Sequence, residues 1–577
     1  MKVATCAVSK KEFEISDLEI ELRKKHGFEN LPTTAPWVRL RERGAFWNHW
    51  NLHRRKCDRT GKMITSVFSE KCPYPVWHKD EWMKNADPPF LFCHSGLDSE
   101  SENSNGEILK QVQDDKCVGG FDFSRPFFDQ AWELFQKCPV PHNVGAGSQN
   151  CEYSDDWWYG KNCYLCHSGV ENEDLRYCYR TLRTKDSQFC VFTFDSELCV
   201  DTTNCARCFD VRYALHCRNC NSSAFLYDCR GCSDCLFCFN LRNKKYCIGN
   251  RQLSKEQFLA EKKKWNFASR KTYDLAKKHF HEMMKNLAWH RAIFVDKSYD
   301  STGNFLENCK KVKNSFFISE LEDSVNCVRG GYSLRSCLDA LGLFKSELLF
   351  STAQVQDQCY SCAFSHNLGK CRFCTYCQYC FQCENCFGCS GLVGKKFHIF
   401  NKKYSPEEFK KLRTKIVQKM KSDGEWGQFF PGKFAANPYD ESWGSFYFPL
   451  SDSDQKKFGF RENENVVRKN SDFFSPDEIP DFPEKFENFE TPFWDSVANR
   501  PFKILPDDVL FAKKMQVSLP NEFYIRRIQE NFRWLFFNGN LRETTCARSG
   551  ENISTTWPTE FDGRILSELE YLKIVGG

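Results

Sequence analysis

Seven cysteines stand at every third position of the run CRFCTYCQYCFQCENCFGC: Cys371, Cys374, Cys377, Cys380, Cys383, Cys386 and Cys389. Few backbones can hold such a row together. A β-strand sends alternate side chains to opposite faces, so a period of three switches faces at each step. An α-helix advances about 300° in three residues, so the row would wind around it. A chain that bends every few residues keeps all these thiols on one side. The row therefore predicts short extended pieces joined by corners, stacked into a parallel β-solenoid with a shared core. The pairs Asp186-Ser187, Asp195-Ser196, Asn204-Cys205, Asn219-Cys220, Asp323-Ser324 and Asn326-Cys327 supply residues that tolerate such bends.

The row belongs to a duplication. At a constant offset of 151, Cys220, Cys229, Cys232, Cys235 and Cys238 fall on Cys371, Cys380, Cys383, Cys386 and Cys389. The match continues from Lys244, Lys245, Ile248, Asn250, Ser254 and Phe258 to Lys395, Lys396, Ile399, Asn401, Ser405 and Phe409. Ser254 with Gln257, and Ser405 with Glu408, are capping-box patterns that open a helix after each copy. The helices are expected over 255–287, with a break, and over 406–421. The chain ends repeat as well. At an offset of 489, Phe13, Ile15, Asn51, Leu52, Cys57, Gly61 and Ile64 fall on Phe502, Ile504, Asn540, Leu541, Cys546, Gly550 and Ile553.

The expected fold is mainly β with helices. Two duplicated cysteine-rich parallel β-solenoid-like modules are flanked by two degenerate zinc-ribbon-like α+β end modules. The expected boundaries are an end module over 1–92, an insertion over 93–117, a connector over 118–150, cysteine modules over 151–290 and 305–425, a linker rich in Pro, Phe and Asp over 426–495, and the second end module over 496–577. Within the insertion, HSGLDSESENSNGEILKQVQDDK is polar and fits neither duplication. It resembles a translated interspersed repeat of bacterial genomes.

Four uses are open to the rows. They pack as small apolar residues, bind zinc, hold an iron–sulfur cluster or form disulfides. Zinc is the possible cofactor, and the metal-ligand candidates are Cys229, Cys232, Cys235, Cys238 and the seven cysteines from Cys371 to Cys389. The run opens like an iron–sulfur pattern but lacks its closing proline. If the rows only pack, Ala in place of a thiol is expected to cost little. Ser is expected to cost more, for want of a partner for its hydroxyl.

In the end modules the pairs are Cys6-x-x-Ser9, Cys57-x-x-Thr60 and Cys546-x-x-Ser549. A hydroxyl residue stands where a second soft ligand would be. Cys57, Cys72 and His78 are the three ligand candidates there. Arg39, Arg41, Arg43, Arg54, Arg55 and Lys56 interleave with Trp47 and Trp50, and Arg526, Arg527 and Arg533 with Trp534. Arginine for phosphate and aromatics for stacking suit single-stranded nucleic acid. An amphipathic helix with aromatics inward and arginines in water accounts for the same pattern.

The stretches KCDRTGK, PYPVWHKDEW, FDFSRPFF, NCYLC, LYDCRGCSDCLFCFNLRNKKYC and FFPGKF, with PYDES and YFPL, resemble large cysteine-repeat proteins of candidate-phyla (Patescibacteria-type) bacteria. Those proteins carry Cys-x-x-Cys ribbon pairs at their ends. The resemblance puts Ala35 and Val38 where one such pair would stand, and Phe523 and Arg526 near another. It implies end modules that have lost their zinc, and it supplies no activity.

Lys and Arg total 81 against 76 Asp and Glu, a balance that excludes a chain coated uniformly for nucleic acid. No phosphate loop, dinucleotide-binding glycine motif, zinc-protease helix or nucleophile elbow is present, so no enzyme and no catalytic residue are expected. The start, MKVATCAVSKKEFEISD, has no apolar export core, and no stretch suits a membrane span. A cytoplasmic scaffold or binding protein is expected. Its alternatives are a nucleic-acid-binding protein and a zinc or iron–sulfur metalloprotein. Partners are a protein or single-stranded nucleic acid, and no membrane.

Overall fold

The structure is a computed structural model that describes residues 2–48, 51–84, 117–118, 120–331, 334–344, 346–351, 358–463, 469 and 472–576. The expected insertion and Trp50 lie outside the described residues, apart from Cys117. The chain forms two compact units, each assembled from two distant stretches. One unit joins Met1–Asn143 to Phe294–Asn463, and the other joins Val144–Ile293 to Glu464–Gly577.

About 20 turns of parallel β-solenoid lie within residues 145–399, one stretch of them in each unit. Its period is 12 residues: His167 pairs with Tyr179, Tyr179 with Val191, Val191 with Thr203, Thr203 with Leu215, and Leu215 with Tyr227. Within a turn, the backbone enters the left-handed region every third residue, as at Asn162, Leu165, Asp174, Tyr177, Asp186 and Phe189. The residue after each of these is buried: Cys163, Cys166, Leu175, Cys178, Ser187 and Cys190. Four short sides of three residues make one turn. The cysteine period of three is thus the spacing of sides.

Left-handed backbone is costly for residues with a branched Cβ. None of the positive-φ residues described is Val, Ile or Thr. Asp186, Asp195, Asn204, Asn219, Asp323 and Asn326 all take this conformation, as their bend chemistry requires. Aromatics take it too. Tyr213, Phe225 and Phe237 stack at 5.1 Å between successive centroids, so each turn supports the next.

Both solenoid stretches close in the same way. The strand pairs Lys245–Ile248 with Arg251–Gln252, and Lys396–Ile399 with Lys402–Lys403, lead into helices Lys255–Lys262 and Pro406–Ser422. Each helix starts in a complete capping box, on Ser254 with Gln257 and Ser405 with Glu408. The first is followed after its break by a helix over Arg270–Asn286. The paired strands begin earlier than the sequence indicated, at Gly145 and Val295.

The end modules are small α+β units of one design. Strands Lys2–Thr5 and Glu12–Ile15, helices Asp17–Lys25 and Pro36–Gly44, and strands His53–Lys56 and Met63–Ser66 open the chain. The same order recurs as Phe493–Asp495, Arg500–Phe502, Pro506–Met515, Tyr524–Arg533, Arg542–Thr545 and Asn552–Thr555. Val76–Trp77 pairs with Val140–Pro141, and its counterpart Ile565–Leu566 pairs with His290–Arg291. The connector and linker are not mere spacers. Helix Phe127–Phe135 packs Phe127 against Phe387 and Phe400. Phe430, Phe434 and Tyr439 are buried in the same core. Among the described residues no helix is long and apolar enough to cross a membrane.

Each unit therefore needs its distant stretch. In the second unit Phe532 packs edge-on to Tyr179 and Phe192, and Asn531 donates to the Phe189 carbonyl at 2.9 Å. Ending the chain at Asn463 is expected to uncover that aromatic face. A fluorescent hydrophobic dye should then bind strongly, and hydrogen exchange should lose protection across 177–227 while it persists across 303–344. Unchanged protection across 177–227 would contradict this assembly.

Candidate functional site

The thiol rows occupy the solenoid axis. Cys229, Cys232, Cys235 and Cys238 form one turn's complete set of inward residues, and Cys380, Cys383, Cys386 and Cys389 form its copy. With Cys371, Cys374 and Cys377, none is more than 1% exposed. The thiols have defined partners. Cys229 donates to the carbonyls of Tyr227 at 3.5 Å and Cys238 at 3.6 Å. Cys383 does so to Phe381 and Leu392, both at 3.4 Å. The carbonyl two residues back is the recurrent acceptor, and several thiols, among them Cys220, Cys371 and Cys389, also reach the carbonyl nine residues ahead, in the next turn. Sulfur is a weak donor, but a protonated thiol here leaves no polar atom stranded. Burial pushes the thiols of Cys178, Cys199 and Cys327 well up, and that of Cys337 to about 12, whereas hydrogen bonds from neighbouring thiols pull Cys208, Cys232 and Cys383 down, so that touching thiols share protons along the row.

Serine and threonine take the same inward positions. Ser187 Oγ donates to the Lys185 carbonyl at 2.6 Å and accepts the Cys199 amide at 2.9 Å. Ser223 and Ser365 repeat this with Cys235 and Cys377. A hydroxyl at an inward position is therefore satisfied, which reverses the expected ranking of Ala and Ser. Cys380→Ser is expected to cost under about 1 kcal/mol, and Cys380→Ala about 1–2 kcal/mol as a small cavity. Urea unfolding of the two variants checks the order; a Ser variant much the weaker would contradict it.

The end modules contain four knuckles built alike. In each, two residues three apart face a second pair three apart. The amide that opens the second pair donates to the side chain that opens the first. Ala35 donates to Cys6 Sγ at 3.3 Å, His78 to Cys57 Sγ at 3.3 Å, and Ser567 to Cys546 Sγ at 3.3 Å. In the fourth, Phe523 donates to Asp495 Oδ2 at 2.8 Å. The four sets are Cys6, Ser9, Ala35 and Val38; Cys57, Thr60, His78 and Glu81; Asp495, Ala498, Phe523 and Arg526; and Cys546, Ser549, Ser567 and Glu570. Ala35 and Val38 share an apolar cluster with Cys6, Phe13 and Ile15.

The knuckle sulfurs accept backbone amides, whereas the solenoid thiols donate to carbonyls. Burial alone would raise Cys546, but the Ser549 hydroxyl and the amides of Ser549, Ser567 and Arg548 bring it down to about 7. Cys6 and Cys57 are lowered for the same reason. The candidate trio separates: His78 faces Cys57, whereas Cys72 packs against the aromatic core, where burial raises its thiol to about 11. The His78 ring stacks on His142 at 4.6 Å, and its Nδ1 accepts the Asp80 amide at 3.3 Å. Glu81 at the fourth position, missed in the sequence, pairs with Arg59 and Lys84. Among the described residues, no three His, Cys, Asp or Glu side chains come together to hold a metal ion.

In the basic–aromatic stretches Arg39, Arg43, Arg55 and Arg527 are buried with the aromatics, where the amphipathic-helix reading had placed arginines in water. Arg39 donates to Asp339 at 2.7 and 3.2 Å and to Glu19 at 2.9 Å. Arg43 lies 3.3 Å from the same Asp339 carboxylate and bonds Ser351. Arg55 is buried on Asp58 and the Ser69 carbonyl. Arg41 lies over the Phe458 ring, and Trp47 is buried beneath Arg329. In the other copy, Arg527 grips Asp201 and lies over Phe189, while Arg526 pairs with Asp495. Trp534 is half-buried against His281. Arg54, Lys56 and Arg533 remain exposed. Arg39 and Arg527 occupy equivalent helix positions, and Asp339 and Asp201 each stand two residues after an inward cysteine, in Cys337-Leu338-Asp339 and Cys199-Val200-Asp201. One buried ion pair thus seats each end module on its solenoid. No family model and no curated protein matches this sequence.

Proposed function

We propose that this chain is a non-enzymatic scaffold or binding protein, in which the cysteine rows are a packing material and the end modules are clamps on the solenoid. The observation that carries this reading is that buried inward thiols have backbone carbonyls within reach to accept their hydrogens. A protonated thiol has a single hydrogen, and with a carbonyl in reach to accept it the group has no need of a metal and is shielded from reaction. The inward turn of Arg39, Arg43, Arg55 and Arg527 supports the same reading, because it spends on the fold the cations that a nucleic-acid surface would offer. The experiment is binding of the intact protein to single-stranded DNA and RNA at low salt. The expected result is no salt-dependent complex. A complex that weakens when Arg54, Lys56 and Arg533 are replaced by Ala would replace this reading with the nucleic-acid one.

A further inference from the structure

We infer that in the third knuckle an internal ion pair, Asp495 with Arg526, stands in the place of a metal ion. The inference rests on reading the end modules as metal-free. A tetrahedral metal site draws two soft ligands from each of two pairs, and the ion's charge holds the pairs together. Here the four ligand positions carry Asp495, Ala498, Phe523 and Arg526. Such a set does not fit a metal. It offers one oxygen ligand, two groups with no donor, and a permanent cation at the fourth corner.

The geometry shows what replaces it. Asp495 takes the part that Cys6, Cys57 and Cys546 play in the other knuckles. Its Oδ1 accepts the amides of Val497 at 2.9 Å and Ala498 at 3.0 Å, and its Oδ2 accepts Phe523 at 2.8 Å. In the first knuckle the equivalent amides, those of Ser9 and Ala35, donate to Cys6 Sγ at 3.4 and 3.3 Å. The anion is therefore kept, and its amide cradle with it. The cation comes from the second pair. Arg526 Nη1 reaches Asp495 Oδ1 at 2.7 Å, and Nη2 reaches Glu522 at 2.9 Å. Burial alone would raise the Asp495 carboxyl, but the amides of Ala498 and Phe523 and the guanidinium hold it below its usual value. The Asp495 side chain is 1% exposed and that of Arg526 31%, so the carboxylate is sealed while the guanidinium closes the knuckle from outside. The first knuckle shows the alternative replacement, in which Val38 at the position of Arg526 closes the site by packing.

Two sets of variants of the full chain test this. In the first, Arg526→Met is expected to lower the melting midpoint of the Val144–Ile293 and Glu464–Gly577 unit by about 3–6 °C, and Arg526→Lys to restore most of that shift, since a cation is what the site needs. Met matching wild type, or Lys no better than Met, would overturn the inference. The second variant is D495C/A498C/F523C/R526C. The expected result is one additional equivalent of cobalt(II) over wild type, with a thiolate charge-transfer band, and a midpoint raised by zinc. A folded variant that binds no cobalt beyond wild type would overturn the claim that this is a metal position. If the variant fails to fold with or without zinc, the Met and Lys pair decides. Metal held by the solenoid thiols appears equally in wild type and cancels in the difference. It would count against the scaffold reading and leave this one standing.

Discussion

Replacing Asp339 or Asp201 by Asn is expected to remove about 3–5 kcal/mol of stability from the unit that holds it. Asp339 is fully buried and lies against Arg39 and Arg43. Asp201 is 2% exposed, grips Arg527, and also accepts the Tyr273 hydroxyl at 2.7 Å. Burial would raise both carboxyls, yet the arginines hold both below the usual value. Removing the carboxylate leaves Arg527 without its buried anion in one unit, and in the other leaves Arg43 without its anion and Arg39 with Glu19 alone. That cost, rather than the Coulomb energy of the pair, sets the magnitude. Urea unfolding gives the size, and hydrogen exchange shows which unit has loosened. A loss under about 1 kcal/mol would mean that the end modules are seated by apolar packing alone. The doubly substituted variants Asp339→Leu with Arg39→Met, and Asp201→Leu with Arg527→Met, should recover part of the loss. Arg43 remains in the first, so recovery should be better in the second.

Acid is expected to unfold the protein at about pH 5. Burial depresses eight of the described histidines: His142, His167, His216, His290 and His366 to about 3, His26 and His281 to about 4, and His398 below its usual value. Unfolded, each titrates near 6.5. Between those values the unfolded chain binds more protons than the native one, so stability falls as pH falls. The contribution is complete above about pH 6.5 and is lost progressively toward pH 3. At pH 5 each histidine costs about 2 kcal/mol, and three or four of them per unit rival the whole stability of an ordinary domain. Asp201 and Asp339, being depressed, add to the loss below about pH 4. Asp228 opposes it: burial raises its carboxyl to about 6, so its protonation favours the native state as pH falls from about 6 to 4. Denaturant midpoints measured from pH 8 to 4.5 should fall steeply below pH 6.5, and His216→Gln should flatten that slope by about one proton. Equal stability at pH 7 and pH 5 would contradict the burial of these rings.

The solenoid was legible because a period of three in cysteine is incompatible with a helix and with a flat strand. Only a chain that turns at every third residue remains. The Asp and Asn before inward residues marked the corners. Tyr177, Phe189, Phe225 and Phe237 did not, because an aromatic residue in left-handed backbone has no local signature. Its place is secured by stacking on the next turn. The duplications carried over to matching elements in both end modules. What the sequence concealed was the assembly. Nothing local ties Arg39 to Asp339 or Arg527 to Asp201, 300 and 326 residues away. An arginine bound for a buried carboxylate and one bound for phosphate look alike in a single chain. The correct clue was the repetition of Arg39 at Arg527, together with an aspartate two residues after an inward cysteine in both solenoid stretches. The expected order of Ser and Ala changes for a related reason. The carbonyls that receive the inward hydroxyl belong to its own strand and to the next turn, and they come within reach only when the solenoid is stacked.

The central claim is that the cysteine rows are protonated packing groups. The direct measurement is the zinc and iron content of protein purified without oxygen, together with its melting midpoint before and after a strong chelator. The account predicts less than about 0.1 equivalent of either metal and a midpoint that the chelator leaves unchanged, since no metal term enters the folding free energy. Stoichiometric metal that leaves together with the folded structure would contradict it.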